Sequence, residues 1–179
     1  MWCTFHPDET TLAAFLGQCR RLDEHGVRYS VGCVGLREHR AAIEQLRAAL
    51  PRHIYLWINA YKSQGDNYDE ALVDAFRQID PLFPINNTRH ASRGRTCRTG
   101  RDVFTVDGDG WIRRCHFVDR VLDNLYAANF EQHLVPAPCP NETCGCHIGH
   151  VHLEHLKLYQ SFGDGVLERV PAGYTTADV

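Results

Sequence analysis

In the front half of the chain, short apolar runs alternate with longer stretches in which apolar residues recur every three or four positions. A short apolar run is typical of a buried strand, and the recurring pattern is typical of a helix with one buried face. The runs predict four strands, at residues 2–5, 27–34, 54–59 and 82–86. Helices are predicted around residues 12–22, 36–50 and 72–79. This repetition predicts an α/β fold with parallel strands and right-handed crossovers.

Local signals mark the helix ends. Asp8 and Thr10 are candidate N-caps of the first helix, because short polar side chains accept hydrogen bonds from its free N–H groups. Gly26 suits the position after the last turn, where left-handed backbone favours glycine. Pro51 is expected to close the second helix, and Asp66 to precede the third.

Polar residues stand near the predicted strand ends. Chemistry in α/β folds collects at the carboxyl ends of parallel strands, so we expect a cofactor to contact Ser30, Asn59 or Asn86 there. Ordinary hydrogen bonding within loops is the simpler explanation for the same residues. Other polar residues expected at these ends are Thr4, His6, Lys62 and Asn87.

The predicted sheet is incomplete. Four strands do not close a barrel, and the first strand begins directly after Met1, which would leave a bare sheet edge. Three explanations stay open: an open sheet, a partner that pairs with this edge, or a chain that is the later portion of a longer one.

Five of the eight cysteines fall close together in the second half of the chain. Residues 103–106 and 111–115 predict two strands joined by an Asp-Gly turn, and this hairpin would bring Cys97 and Cys115 together. Three more thiols, Cys139, Cys144 and Cys146, follow on a proline-rich loop. Clustered thiols suit either zinc or an iron–sulfur cluster, and the long, irregular spacing around a hairpin favours the cluster.

The spacing C-x12-G-x4-C, formed by Cys97, Gly110 and Cys115 and followed by further cysteines, resembles the SPASM or twitch auxiliary-cluster domains of radical S-adenosylmethionine (radical SAM) enzymes. The sequences at 123–125 and 130–131 strengthen this resemblance, and the preceding repeats look like the later strands of a radical SAM (β/α) barrel. The likeness covers about residues 1–150.

The resemblance implies an incomplete parallel barrel over residues 1–90, a small cysteine-rich β-hairpin domain over 91–150, and a C-terminal helix and tail over 151–179. It also implies one [4Fe–4S] cluster held by Cys97, Cys115 and two of Cys139, Cys144 and Cys146, with the pair Cys139 and Cys144 favoured. The cluster would transfer electrons or anchor a substrate, whose identity the sequence does not reveal.

One part of the family pattern is missing. The sequence contains no C-x3-C-x2-C motif, which holds the cluster that reduces S-adenosylmethionine, and no glycine-rich segment after the second strand. The resemblance therefore implies a chain that is inactive alone, with a preceding segment or a partner chain supplying the first strands and completing the S-adenosylmethionine site.

The main rival is a non-enzymatic zinc module that contacts a protein or nucleic acid through an arginine-rich face. Candidate zinc ligands besides Cys144 and Cys146 are His147, His150, His152 and His155. The arginines concerned are Arg89, Arg93, Arg95, Arg98, Arg101, Arg113, Arg114 and Arg120. An exposed surface explains most such groups, but positive charge would also stabilise a reduced, negatively charged cluster.

Composition supplies the remaining expectations. The formal net charge of −3 gives no general attraction to nucleic acid, and no run of apolar residues is long enough to predict a membrane helix. The first residues lack the features of a signal peptide, so we expect a cytoplasmic protein. Cys3, Cys19 and Cys33 lie in predicted strands or on an apolar helix face, where they are expected to pack in the core.

Overall fold

The computed structural model describes residues 1–62 and 68–174. Asp66, which was predicted to precede the third helix, lies outside the described residues. The chain divides into two compact units. The first unit comprises Met1–Thr88 and Phe162–Val179, and the second comprises Arg89–Ser161.

The first unit is built around three parallel strands, β1 (Trp2–Phe5), β2 (Ser30–Val34) and β3 (Leu56–Asn59), which lie in that order in the sheet. A short 3-10 helix at Arg37–His39 leads into the second helix, and another follows the last helix of the chain at Gly163–Gly165. The predicted alternation of strands and helices is confirmed through the third helix. The elements are β1 (Trp2–Phe5), α1 (Leu12–Glu24), β2 (Ser30–Val34), α2 (Arg40–Ala49), β3 (Leu56–Asn59), α3 (Glu70–Ile79) and α4 (Phe83–Asn86).

Both faces of this sheet are covered, which explains why its strands are nearly continuous apolar runs. One face packs into a core of aliphatic and aromatic side chains that includes Ile43 and Phe76. On the other face, Trp57 lies 6.0 Å from Phe162, measured between ring centroids, and the Ser30 hydroxyl donates to the Glu168 carbonyl at 2.6 Å.

The outer edge of β3 is closed by side chains rather than by a further strand. The N–H of Ile58 donates to the carboxylate of Asp80 at 2.8 Å, and the side-chain amide of Asn86 donates to the Ile58 carbonyl at 2.8 Å. At the opposite edge, β1 pairs with β2 alone among the described strands. The sheet is open, and no closed barrel is formed by the described residues.

Two local predictions in this unit are wrong. The fourth strand, predicted at 82–86, is the short helix α4, whose first turn contains Pro84. The N-cap of α1 is Thr11, whose hydroxyl accepts from the Ala14 N–H at 3.2 Å, so neither Asp8 nor Thr10 fills that position. Gly26, in contrast, has the predicted left-handed backbone, with φ of 63°.

The second unit contains the predicted hairpin, with a third strand added to it. Three strands form an antiparallel sheet: β5 (Thr105–Val106), β6 (Trp111–Cys115) and β7 (Val118–Asn124). The turn before β6 depends on Gly110, whose φ is 84°, and on the Asp107 carboxylate, which accepts from the Trp111 N–H at 2.9 Å.

Short elements complete the second unit. Within 151–179, where a C-terminal helix and tail are predicted, a 3-10 helix at Glu154–Leu156 precedes a short α-helix at Leu158–Phe162. These elements are β4 (His90–Ala91), a 3-10 helix (Phe130–His133), β8 (Thr143–Cys144), α5 (His147–His150) and α6 (Leu158–Phe162). The chain is thus a mixed α/β protein with small, open sheets. Within residues 1–62 and 68–174, none of the helices has the length and apolar character needed to cross a bilayer.

Candidate functional site

Backbone hydrogen bonds place Cys139 beside the segment that carries Cys97. The N–H of Cys139 donates to the Arg95 carbonyl at 3.0 Å, and the N–H of Gly94 donates to the Cys139 carbonyl at 2.8 Å. The two cysteines therefore sit on neighbouring, paired segments although many residues of chain separate them.

A second pairing positions Cys144. Strand β8 pairs with β4 in antiparallel register, and Cys144 lies opposite His90. Beyond this pair, the hydroxyl of Ser92 donates to the Asn141 carbonyl at 2.7 Å. The proline-rich loop is thus fixed to the start of the second unit at a point between Cys139 and Cys144.

Cys115 reaches the same loop from the hairpin. It is the last residue of β6 and is 9% exposed. Immediately after it, the Phe117 carbonyl accepts a hydrogen bond from the side-chain amide of Asn141 at 2.8 Å. The hairpin and the loop are therefore joined close to Cys115.

The thiols of Cys115 and Cys144 lie close enough to the other thiols of this group for their ionisation to be affected. Burial is the main cause that raises the pKa of Cys115, and the charges of Cys97 and Cys139 raise it further. Burial raises the pKa of Cys144 to about 12, and the other three thiols contribute to this shift. Four of the five predicted ligands thus share one electrostatic environment, in which several thiolates would repel one another unless a cation lay between them.

Two backbone groups are arranged to favour the thiolate form. The N–H of Phe117 faces the thiol of Cys115, and the N–H of Cys146 faces the thiol of Cys144. Each contact lowers the pKa of its cysteine, because a donor bonded to sulfur stabilises negative charge. Sulfurs that accept N–H bonds are suited to metal ligation, since ligating cysteines must be deprotonated.

Cys146 takes part in a different way from the other four. Its backbone N–H supports the Cys144 thiol, and the residue is the N-cap of α5. Its side chain is half-buried.

The arrangement differs from a formed site for one ion. All eight cysteines are free thiols. Within the described part of the chain, no three His, Cys, Asp or Glu side chains are gathered as ligands of a single metal ion. Tetrahedral zinc, with bonds of about 2.3 Å, needs its sulfurs roughly 3.8 Å apart.

Three histidine rings lie together near Cys144. The ring of His150 lies 4.7 Å from that of His90 and 5.7 Å from that of His147, measured between centroids. Gly149 allows the backbone of α5 to approach the Cys144 sulfur, because a Cβ there would lie 2.6 Å from that sulfur. Of the histidines predicted as zinc ligands, three are buried and His155 is exposed.

His152 is held in a defined position within this layer. Its Nδ1 lies 2.9 Å from the hydroxyl of Tyr159, and the guanidinium of Arg98 covers the tyrosine ring at 4.1 Å. Burial, with a smaller contribution from Arg98, lowers the pKa of His152 to about 4. The ring is therefore neutral at pH 7, and it helps to exclude water from this side of the unit.

Most side chains of the arginine group lie at the surface, as expected of exposed arginines without a specific role. Seven of the eight side chains are exposed or half-exposed, and several pair with carboxylates, as Arg93 does with Glu142 at 2.7 Å and Arg113 with Asp107 at 2.6 Å. Arg114 differs, because it is 5% exposed.

Of the residues predicted to contact S-adenosylmethionine, two lie close together and one lies elsewhere. Asn59 lies at the carboxyl end of β3. Asn86 lies in α4 rather than after a strand, and its side-chain amide donates to the carbonyl of Ile58, the residue before Asn59. Ser30 begins β2 and so lies at an amino end, contrary to prediction, and its hydroxyl donates to the Glu168 carbonyl. Ser30 and Asn86 are buried. Contact of these residues with a cofactor stays a prediction.

The three early cysteines have the predicted core positions. Cys19 and Cys33 are buried in the core of the first unit, and Cys3 packs against it. Burial is the main cause that raises the pKa of each thiol. They are separate from the four grouped thiols of the second unit.

Sequence reasoning missed two parts of the site: the pairing of β4 with β8 and the N–H groups that face the sulfurs. A two-residue strand is too short to show a periodic pattern, so no sequence signal marks this pairing. In comparisons with known proteins, no family model, no curated protein and no solved structure matches this chain. The functional conclusion therefore rests on the residues and geometry of the site.

Proposed function

We propose that the second unit binds a [4Fe–4S] cluster through Cys97, Cys115, Cys139 and Cys144. The observation that carries the proposal is that backbone and side-chain hydrogen bonds bring together the separate segments of chain that carry these four thiols. Such a cluster takes four cysteine thiolates as ligands.

The donors around the thiols also support this assignment. The N–H groups of Phe117 and Cys146 supply hydrogen bonds to sulfur, which is one of the means by which proteins set the potential of a cluster. The buried rings of His147 and His150 limit access of water from the adjacent side. A bound cluster supplies one-electron transfer. The chain's own residues hold the thiolates, orient them and shield them.

Full ligation by four cysteines makes electron transfer the better proposal than substrate anchoring, because anchoring needs an iron with an open position. The wider proposal is that the chain serves a radical SAM enzyme as its auxiliary-cluster portion. That proposal rests on the resemblance around Cys97, Gly110 and Cys115. In such an enzyme, the S-adenosylmethionine site would be separate from the four cysteines assigned to the auxiliary cluster.

The proposal is tested by replacing one thiol of the loop at a time. The chain is reconstituted anaerobically with iron and sulfide, and iron, sulfide and visible absorption are measured for C144S and C146S. We expect C144S to lose most of the iron and the brown colour, and C146S to retain both. Loss of iron in C146S with retention in C144S would overturn the ligand assignment. A colourless wild-type chain with one zinc would instead favour the zinc module.

A further inference from the structure

Arg114 is a buried cation next to Cys115 and to the loop that carries Cys139. Its side chain is 5% exposed, and it forms no ion pair with a carboxylate among the described residues. The neighbouring Arg113 provides a contrast, because it pairs with the carboxylates of Asp107 and Asp119. Burying a charge without a partner of opposite sign is costly, so a compensating negative group is expected nearby.

The guanidinium of Arg114 binds the loop directly before Cys139. It donates to the carbonyl of Pro138 at 2.5 Å and to the carbonyl of Ala137. Gly100 lies against the stem of the side chain, where a Cβ would come within 2.7 Å of Arg114 Cγ. The arginine thereby joins the hairpin strand that ends in Cys115 to the loop that carries Cys139.

The charge of Arg114 is next to two of the residues that we assign as ligands. Arg114 directly precedes Cys115 in β6, and its guanidinium is bonded to the carbonyl of Pro138, the residue before Cys139. A set of thiolates around an inorganic core carries net negative charge, which is the compensating group that the burial of Arg114 calls for.

We propose that Arg114 is a positioning residue that holds Cys139 in place and also serves as the buried counter-charge of the metal centre, raising its reduction potential. The second role rests on the proposed function. Reduction adds negative charge to the centre, so a fixed cation beside it stabilises the reduced form. The first role concerns the protein chain alone and holds without any metal.

The two roles are measured separately in R114Q, R114K and the control R113Q. In metal-free protein, the rates of alkylation of Cys139 and Cys97 are followed by mass spectrometry of the modified peptides. Because Cys97 is buried in the same unit, it reports general loosening of the structure. We expect R114Q to increase the rate at Cys139 about tenfold relative to Cys97, since hydrogen bonds from a charged donor are lost. R113Q leaves the ratio unchanged.

In iron-loaded protein, a redox titration gives the reduction potential. We expect a lower potential in R114Q, and values close to that of the wild type in R114K and R113Q, because R114K keeps the buried charge. Equal acceleration at Cys97 and Cys139 would overturn the positioning role. An unchanged potential in R114Q would overturn the counter-charge role. If the wild type takes up no iron, the proposed function fails, and the alkylation ratio alone decides whether Arg114 positions Cys139.

Discussion

The two units bury different kinds of side chain. The core of the first unit is aliphatic and aromatic, and its largest fully buried members include Trp57, Phe76 and Phe83. The second unit also buries apolar residues, such as Ile112, and like the first it buries cysteines, but it adds buried histidines and the cation of Arg114. The first unit has the composition of a core stabilised by burial of apolar surface. If the second unit binds a metal centre as proposed, the bound group helps to stabilise it.

This difference predicts how each unit responds to loss of metal and to loss of apolar packing. Binding of a metal group to the folded chain alone adds to its stability by mass action. Chelation of the metal should therefore destabilise the second unit and leave the first unaffected. Truncation of a core side chain of the first unit should destabilise that unit and leave the metal content of the second unchanged.

The largest expected effect is that of C115S on the metal content of the second unit. Serine removes one of four thiolates, so we expect the absorbance and iron of the reconstituted protein to fall by well over half. The matched control is C19A, which removes a buried thiol from the core of the first unit and should retain full iron content. Iron and sulfide at wild-type levels in C115S would refute its assignment as a ligand.

A large loss of stability is expected from F76A in the first unit. Phe76 is fully buried and makes edge contacts with Phe83 at 5.1 Å between centroids. The resulting cavity should lower the free energy of unfolding by about 3–5 kcal/mol. Chemical denaturation measures the effect, and L167A, at a position that is 70% exposed, is the control and should change it by less than about 0.5 kcal/mol. Iron uptake that falls in parallel with stability would contradict the separate behaviour of the two units.

A smaller, pH-dependent effect is expected at Asp80. Its buried carboxylate accepts from the Tyr55 hydroxyl and from the N–H groups of Ile58 and Leu82, but burial is the main cause and raises its pKa to about 6. The unfolded value is about 3.9. The protonated form is thus favoured by folding, and this contribution is full below about pH 4 and is lost as the pH rises through about 6.

The D80N variant isolates this contribution. The NH2 group of the new asparagine side chain faces at least one backbone N–H donor that the carboxylate accepted from. This mispairing should lower the free energy of unfolding by about 1–3 kcal/mol. Unfolding is measured between pH 4 and pH 8 for both proteins, and the difference in unfolding free energy should increase as the pH falls. A difference that does not vary with pH would show that Asp80 keeps an ordinary pKa.

The smallest effect is expected from G110A in the hairpin of the second unit. Gly110 has a φ of 84°, and a Cβ there would lie 2.7 Å from the Tyr126 ring. We expect a loss of about 1–2 kcal/mol from backbone strain. The matched control is G108A, where a Cβ would meet no atom within 4 Å. Equal stability of G110A and the wild type in thermal unfolding would show that the turn tolerates a side chain.

Much of the first unit could be predicted because its periodic patterns are long. The helix from Leu12 shows several turns of one apolar face, and the strands around Val31 and Trp57 are nearly continuous apolar runs. The run at 82–86 was assigned wrongly, because a short apolar segment has no period that separates a strand from a helix. Ser30 was misplaced because its strand begins later than the apolar run does.

The candidate site was predictable only in outline. The Asp-Gly turn and the positions of Cys97 and Cys115 indicated a hairpin that gathers thiols, and the hairpin is present. The loop contacts were not predictable, because pairing across β4 and β8 and the hydrogen bonds of Arg114 depend on backbone positions distant in sequence. The burial of Arg114 among exposed arginines has no signal in the sequence either.

The central claim is most directly tested by the composition of the wild-type chain purified without oxygen. Iron, acid-labile sulfide and zinc are determined per chain on the same sample. Binding of a cubane cluster predicts about four irons and four sulfides with negligible zinc. One zinc per chain without sulfide, or protein free of all three after reconstitution, would contradict it.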